Sequence, residues 1–266
     1  MTADHEELSF WDHLEELRWR LVRMVVYVVV AAALSWIFRE QLLNLLRYPA
    51  EAGAVMAGEK AFEFRIFEAA GGFVLMMQIA LVAGVIIAAP GIIMELWLFV
   101  EPALEPNERK WVVLVVPLAV LLFVGGVAFC YWISPRAFAF FLRFNRSMGV
   151  EVELTLQPYL FFLMRLLLVF GIAFELPLVL TFLAAVGIVT QQQLISWWRH
   201  AVLVIFIFAA IATPTTDPAT MSFMAGPMVL LYLASVWLAG LFEKDKAEDE
   251  EPAPVTGDSV DDGTGT

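Results

Sequence analysis

Three groups of acidic side chains sit where their neighbours give them chemistry to do. Asp12, Glu16 and Arg20 fall at four-residue steps, so a helix carries them on one face. Glu95, Glu101, Glu105 and Glu108 cluster around a stretch broken by Pro102 and Pro106. Carboxylates beside a membrane surface can receive a cationic peptide. Arginine suits them better than lysine, because guanidinium meets carboxylate in a planar, two-pronged way. The plainer alternatives are a solvated Glu16–Arg20 pair, worth a few tenths of a kcal/mol, and a hydrated acidic loop. Glu175 lies inside an apolar run, two residues before Pro177. An ionised carboxylate at mid-bilayer costs about 2.5–3.5 kcal/mol on insertion scales, so it must face other helices, water or a polar partner. Pro177 withholds the donor that the Ala173 carbonyl would use, and a kink or polar spot is expected there.

Catalytic constellations are missing. His5, His13 and His200 all lie outside the middles of the apolar runs, and His13 reads as a surface residue among charged neighbours. No H-E-x-x-H, Walker loop, nucleophile elbow or paired-cysteine spacing occurs, so neither a metal nor a cofactor is expected. Glu175 has no second mid-span acid beside it, which argues against an intramembrane protease. Cys130 is the single cysteine and can form no internal disulfide. A proton- or cation-coupled small-solute transporter with Glu175 as relay is the rival reading from another class. No internal repeat supports an inverted-repeat transporter.

The elements that must position these groups are membrane helices. Of 266 residues, 61% are hydrophobic and 17% charged, against about half and a quarter in a soluble domain. The apolar runs form six spans, 21–38, 71–98, 111–133, 159–186, 197–212 and 223–242. The fold class expected is therefore an all-α polytopic membrane protein. Residues 1–20 are polar and acidic, so no cleavable leader is expected there. Ser9 and Asp12 form a capping signal, and Leu8, Trp11, Leu14, Leu17 and Leu21 make one apolar stripe. That pattern predicts an amphipathic interfacial helix leading into the first span. Pro49 and Gly53 break the long loop 39–70, and Ser134-Pro135 ends the third span. The fifth and sixth spans reach only about 24 Å each as helix. Local bilayer thinning or burial against other helices must make up the difference.

Charge adds orientation and a tail. Residues 243–266 hold nine acids and two lysines, −7 of the net −12, and read as a disordered tail after a 1–242 membrane domain. This acidity argues against a nucleic-acid partner. An even number of spans puts both ends on one side. Basic residues are shared almost evenly between the two faces, but Arg18, Arg20 and Arg23 before the first span favour a cytoplasmic N-terminus.

Five motifs, in order, carry a resemblance. They are His13-Leu14-Glu15-Glu16-Leu17-Arg18-Trp19-Arg20, Phe99-Val100-Glu101-Pro102-Ala103-Leu104 with Glu108-Arg109, Ser134-Pro135-Arg136-Ala137-Phe138, Phe174-Glu175-Leu176-Pro177, and Thr213-Pro214 with Asp217. Together they resemble the signatures of the TatC family, the multispanning core subunit of the twin-arginine protein translocase, from residue 10 to about 240. The resemblance implies six helices forming a concave cup in the cytoplasmic (inner) membrane, with both ends cytoplasmic and no enzymatic activity. It implies binding of the twin-arginine signal peptides of folded precursors, whose two arginines would pair with Glu16 and Glu108. Arg18 would order that site, and Phe99 and Glu101 would support the receiving surface. Glu175, with Asp217, would serve the single-span subunits TatA and TatB. Pro49 and Pro177 would be structural, and self-association in a multimeric receptor complex is implied. Glu95 departs from the family pattern by standing where relatives carry Gln, adding a third carboxylate. Met221 stands where some relatives have Gln.

Overall fold

The computed structural model describes residues 10–59, 64, 70–101, 109–149, 155–212 and 218–249. Among them the regular elements are nine α-helices and no strand. The chain is a multi-pass membrane protein built from six passes. The first is α1, Phe10–Ile37, in which the amphipathic segment and the first span form one continuous helix. Ser9, its proposed cap, lies outside the described residues. Leu14, Leu17 and Leu21 are exposed along α1, as a lipid-facing stripe should be.

Helix α2, Arg39–Ala57, occupies the stretch expected to be a broken loop. Pro49 lies inside it and is buried. Proline removes the donor that the carbonyl four residues earlier would accept. That carbonyl is Leu45's, and the Tyr131 hydroxyl donates to it at 2.9 Å. The next one, Leu46 O, accepts from the Tyr159 hydroxyl at 3.1 Å. Tertiary partners thus meet the need that a local reading assigns to a helix break, and the structural role expected of Pro49 is to turn a carbonyl toward them.

Helix α3, Gly71–Val100, packs antiparallel on α1. Arg20 meets Glu95, Tyr27 meets Gly91, Ala32 meets Gly84 and Trp36 meets Phe73 in register. Gly84 sets the separation: a Cβ there would lie 2.6 Å from the Ala32 backbone. Helices in lipid approach most closely at such small residues.

Helix α4, Arg109–Ser147, runs straight through the Ser134-Pro135 step expected to end the third span. Its 39 residues make about 58 Å of helix, far more than one bilayer core. Ending a helix near hydrocarbon leaves several carbonyls unpaired, whereas one proline leaves one. Side chains also grip carbonyls beside the step, Ser134 Oγ donating to Cys130 O at 2.6 Å and Arg136 Nη1 to Trp132 O at 2.9 Å. The overhanging half carries α2 parallel to it. Arg143 donates to Met56 O, and Arg146 pairs with Glu59 at 3.3 Å.

The fourth pass is two helices, α5 Leu156–Ala173 and α6 Leu176–Ala185, parted at Phe174-Glu175 just before Pro177. It runs antiparallel to α4, with Tyr159 beside Phe138, Phe170 beside Phe129 and Gly171 against Phe123. This register puts Glu175 at the level of Phe123, midway along the apolar 111–133 stretch.

Helix α7, Gln191–Ser196, begins with a capping box of Thr190 and Gln193. Helix α8, Trp198–Ala212, has 15 residues, about 22 Å, and is as short as its sequence predicts. Helix α9, Pro218–Asp249, has 32 residues, so the sixth helix is long although its apolar stretch is short. It continues past Phe242 to Asp249, into the stretch read as tail. Residues 250–266 lie outside the described residues. Gln191 Nε2 donates to Val236 O at 3.2 Å and the Tyr232 hydroxyl to Leu194 O at 2.7 Å, tying α7 to α9.

Candidate functional site

The start of α1 and the end of α3 meet at one rim of the bundle. His13, Glu16, Arg20, Arg23 and Tyr27 recur at three- or four-residue steps, which places them on one face of α1. Glu95 and Phe99, four apart, face them from α3. The His13 ring stacks on Phe99 with centroids 4.4 Å apart and planes 18° from parallel. His13 Nδ1 lies 3.7 Å from Glu16 Oε2. His13 is thus part of a built surface and not an isolated solvated residue.

Arg20 joins the two carboxylates. Its Nε and Nη2 donate to Glu16 Oε1 at 3.0 and 2.5 Å, and its Nη1 to Glu95 Oε2 at 3.2 Å. Glu95 also lies 3.5 Å from Arg23 Nη1 and accepts from the Tyr27 hydroxyl at 3.1 Å. Its side chain is 3% exposed against 29% for Glu16, so of the two only Glu16 is open to a visitor. The extra carboxylate Glu95 is therefore already partnered within the chain. The i,i+4 Glu16–Arg20 pair expected from spacing is present, but its arginine is 13% exposed and bridges to a second helix.

Other residues expected here stand apart. Arg18 points to a different face of α1, pairs with Glu15 at 3.2 Å and is 66% exposed, so the structure does not bring it to Glu16. Glu101 follows α3, where its backbone N–H bonds to Trp97 O. Glu108 and Asp217 lie outside the described residues. Arg20, Glu95, Tyr27 and His13 were not singled out as a unit by the sequence reading. The regular stripe from His13 to Tyr27 was the signal available for it.

Beside the rim, an apolar cavity of about 550 Å³ opens between α3, α4, α5 and α6. Ile93, Trp97 and Val100 line it near the rim, and Phe123 and Glu175 line it at depth. Trp97 and Phe182 close one wall edge to face, with centroids 4.8 Å apart. Along α3 the cavity lining reaches from Val85 to Val100, so it descends about 20 Å from the rim toward mid-membrane. Among the described residues Glu175 is its only charged lining residue, and the Glu175 Oε1 is buried with no hydrogen-bond donor among them. The break before Pro177 holds this side chain in place. Gly126 lets α4 press against that break, since a Cβ there would lie 2.6 Å from Phe170 O. Among the described residues no group of three or more metal-ligating side chains is found.

A rim with an open carboxylate and an aromatic stack, beside an apolar cavity, can hold a peptide with a cationic end and an apolar segment. Known proteins similar to this chain identify its family. Residues 12–227 match the family described as Sec-independent protein translocase protein (TatC). The protein of that name from Desulforapulum autotrophicum is 38% identical over 97% of this chain and 94% of its own length. The one from Deinococcus radiodurans is 34% identical over 92% of this chain and 91% of its own. The chloroplastic relative of Arabidopsis thaliana is 32% identical over 90% of this chain and 68% of its own. Among solved structures, the twin arginine translocase receptor TatC superposes with a TM-score of 0.78 at 30% identity, over 87% of this chain and 99% of that one. The same receptor solved in the detergent DDM gives a TM-score of 0.77. With its six-pass helical bundle, this chain belongs to the TatC family of protein translocase components.

Proposed function

We propose that this chain is the non-enzymatic receptor that reads the twin-arginine signal peptides of folded precursors and gathers single-span subunits, TatA and TatB, around itself. The carrying observation is that one end of α3 holds both a rim with an open carboxylate, Glu16, and the mouth residues Trp97 and Val100 of an apolar cavity that reaches Glu175. Glu16, with Glu108, takes the two arginines. Phe99 supports them from below, and Glu101 adds negative potential at the end of α3. The peptide's apolar segment lies in the cavity, where burying it against Ile93 and Trp97 is favourable by about 25 cal/mol for each Å² of apolar surface removed from water. Glu175, with Asp217 toward the last turn, offers the polar contact to partner helices. The protein works in the cytoplasmic (inner) membrane with both ends of the bundle in the cytoplasm. It self-associates in a larger receptor complex, and the proton-motive force drives the export that follows docking.

A leader carrying a photoreactive residue in its apolar segment tests the cavity part of this reading. In membranes it should crosslink to Ile93, Trp97 or Phe182, and Trp97→Ala together with Phe182→Ala should reduce that labelling. Labelling confined to the lipid-facing residues Val22, Val26 and Val30 of α1 would place the segment outside the cavity and overturn it.

A further inference from the structure

Arg20 occupies the place that an incoming guanidinium has to take. It donates twice to Glu16 and once to Glu95, and Arg23 stands on the second carboxylate. Among the described residues two carboxylates thus face two guanidiniums, so that this cluster is charge-balanced before any peptide arrives. We propose that Arg20 is a built-in competitor for the signal peptide's arginine, and so sets the affinity that a peptide must reach to occupy the site. The inference rests on the reading of Glu16 as the receiving carboxylate.

The geometry supports an exchange in which no buried charge is left unpaired. Glu16 is the more open of the two carboxylates, and Glu95 is buried. When a peptide arginine takes Glu16, Arg20 keeps its bond to Glu95, which also keeps Tyr27 and Arg23. Arg20 therefore gives up one partner and retains the other. Glu95 is what makes the release inexpensive, since a buried guanidinium with no carboxylate would be strongly disfavoured.

Competition of this kind sets a threshold. Arg20 is tethered beside Glu16, so it competes at a high effective concentration whatever the peptide concentration is. A peptide arginine replaces it like for like, with a fork that matches the carboxylate. A lysine offers a compact, strongly hydrated ammonium and must displace a fork with a point charge. The resident arginine weakens both by the same factor, so at a given peptide concentration the weaker lysine peptide is the first to lose occupancy.

The test measures binding of fluorescent leader peptides, Arg-Arg and Lys-Lys, to the full chain in lipid nanodiscs. Arg20→Gln should tighten both Arg-Arg and Lys-Lys binding by about tenfold, the worth of one charge-assisted hydrogen bond. The ratio between the two peptides should stay the same, because a resident competitor costs each of them the same free energy. Arg20→Lys keeps the positive charge and should tighten both by a smaller factor, which serves if the glutamine variant does not fold. Weakened or unchanged Arg-Arg binding in both variants would overturn the proposal, because Arg20 would then be positioning Glu16 or standing apart from the exchange. Glu16→Gln in the same assay separates the two levels. If it leaves Arg-Arg binding intact, the receiving role of Glu16 fails. If it abolishes binding while Arg20 variants bind neither peptide more tightly, only the competitor fails.

Discussion

Glu95→Leu is expected to lower the stability of the protein by about 3–5 kcal/mol, the usual cost of removing one partner from a buried charge cluster. The Glu95 carboxylate, 3% exposed, is where Arg20, Arg23 and Tyr27 converge from α1. Leucine fills a similar volume but leaves the Tyr27 hydroxyl without this acceptor. It also leaves Arg20, 13% exposed, with Glu16 alone. Glu95→Gln keeps an acceptor and loses the charge, so its cost is about 1–2 kcal/mol. Thermal unfolding of the full chain in detergent reads both. The leucine variant should melt lower by about 6 °C or more and the glutamine variant by less. Equal melting of the leucine variant and the wild type would mean that the α1–α3 contact at the rim is not an energetic anchor.

Glu175→Leu is expected to act in the opposite direction on the isolated chain. The Glu175 Oε1 is buried in an apolar cavity with no described donor, an arrangement that costs free energy without a compensating bond. Leucine removes that cost, so the isolated chain should be as stable as the wild type or up to about 1–3 kcal/mol more stable. Capture of single-span subunits and export should nevertheless be lost, because the polar contact is gone. Glu175→Gln, which can still hydrogen-bond, should retain part of both. Co-purification of the subunits, export in cells and unfolding in detergent check the three expectations. A leucine variant that assembles and exports normally would remove Glu175 from the partner site. The rival relay reading makes a separate forecast. It requires the chain alone, in liposomes, to take up a small solute in a manner that Glu175→Gln abolishes, whereas a receptor shows no such uptake.

The spans were legible because lipid demands long apolar helices, and the runs 71–98 and 197–212 lie within or close to α3 and α8. What was not legible depends on partners far along the chain. Helix α2 hides behind Pro49 because the donor for Leu45 O comes from Tyr131, 86 residues away. Helix α4 passes Pro135 for related reasons, with α2 packed along it and side chains holding nearby carbonyls. At the rim, the spacing of Glu16 and Arg20 was visible. The bridge to Glu95 was not, since it needs the antiparallel register of α1 and α3. Arg18 could have been set aside from phase alone, because two residues along a helix turn a side chain about 200° away from Glu16. The polar spot at Glu175 was legible from Pro177, but the cavity around it is assembled from four helices and has no local signature.

The most direct test is photo-crosslinking of a twin-arginine signal peptide to the full chain in membranes, with Glu16 and Glu108 both changed to glutamine. Two charge-assisted contacts are removed, so capture at the rim should fall by about 100-fold or more, and replacing Arg-Arg by Lys-Lys in the peptide should depress capture by the intact protein as well. Undiminished capture by the doubly changed protein would contradict the assignment of this rim as the receiving surface.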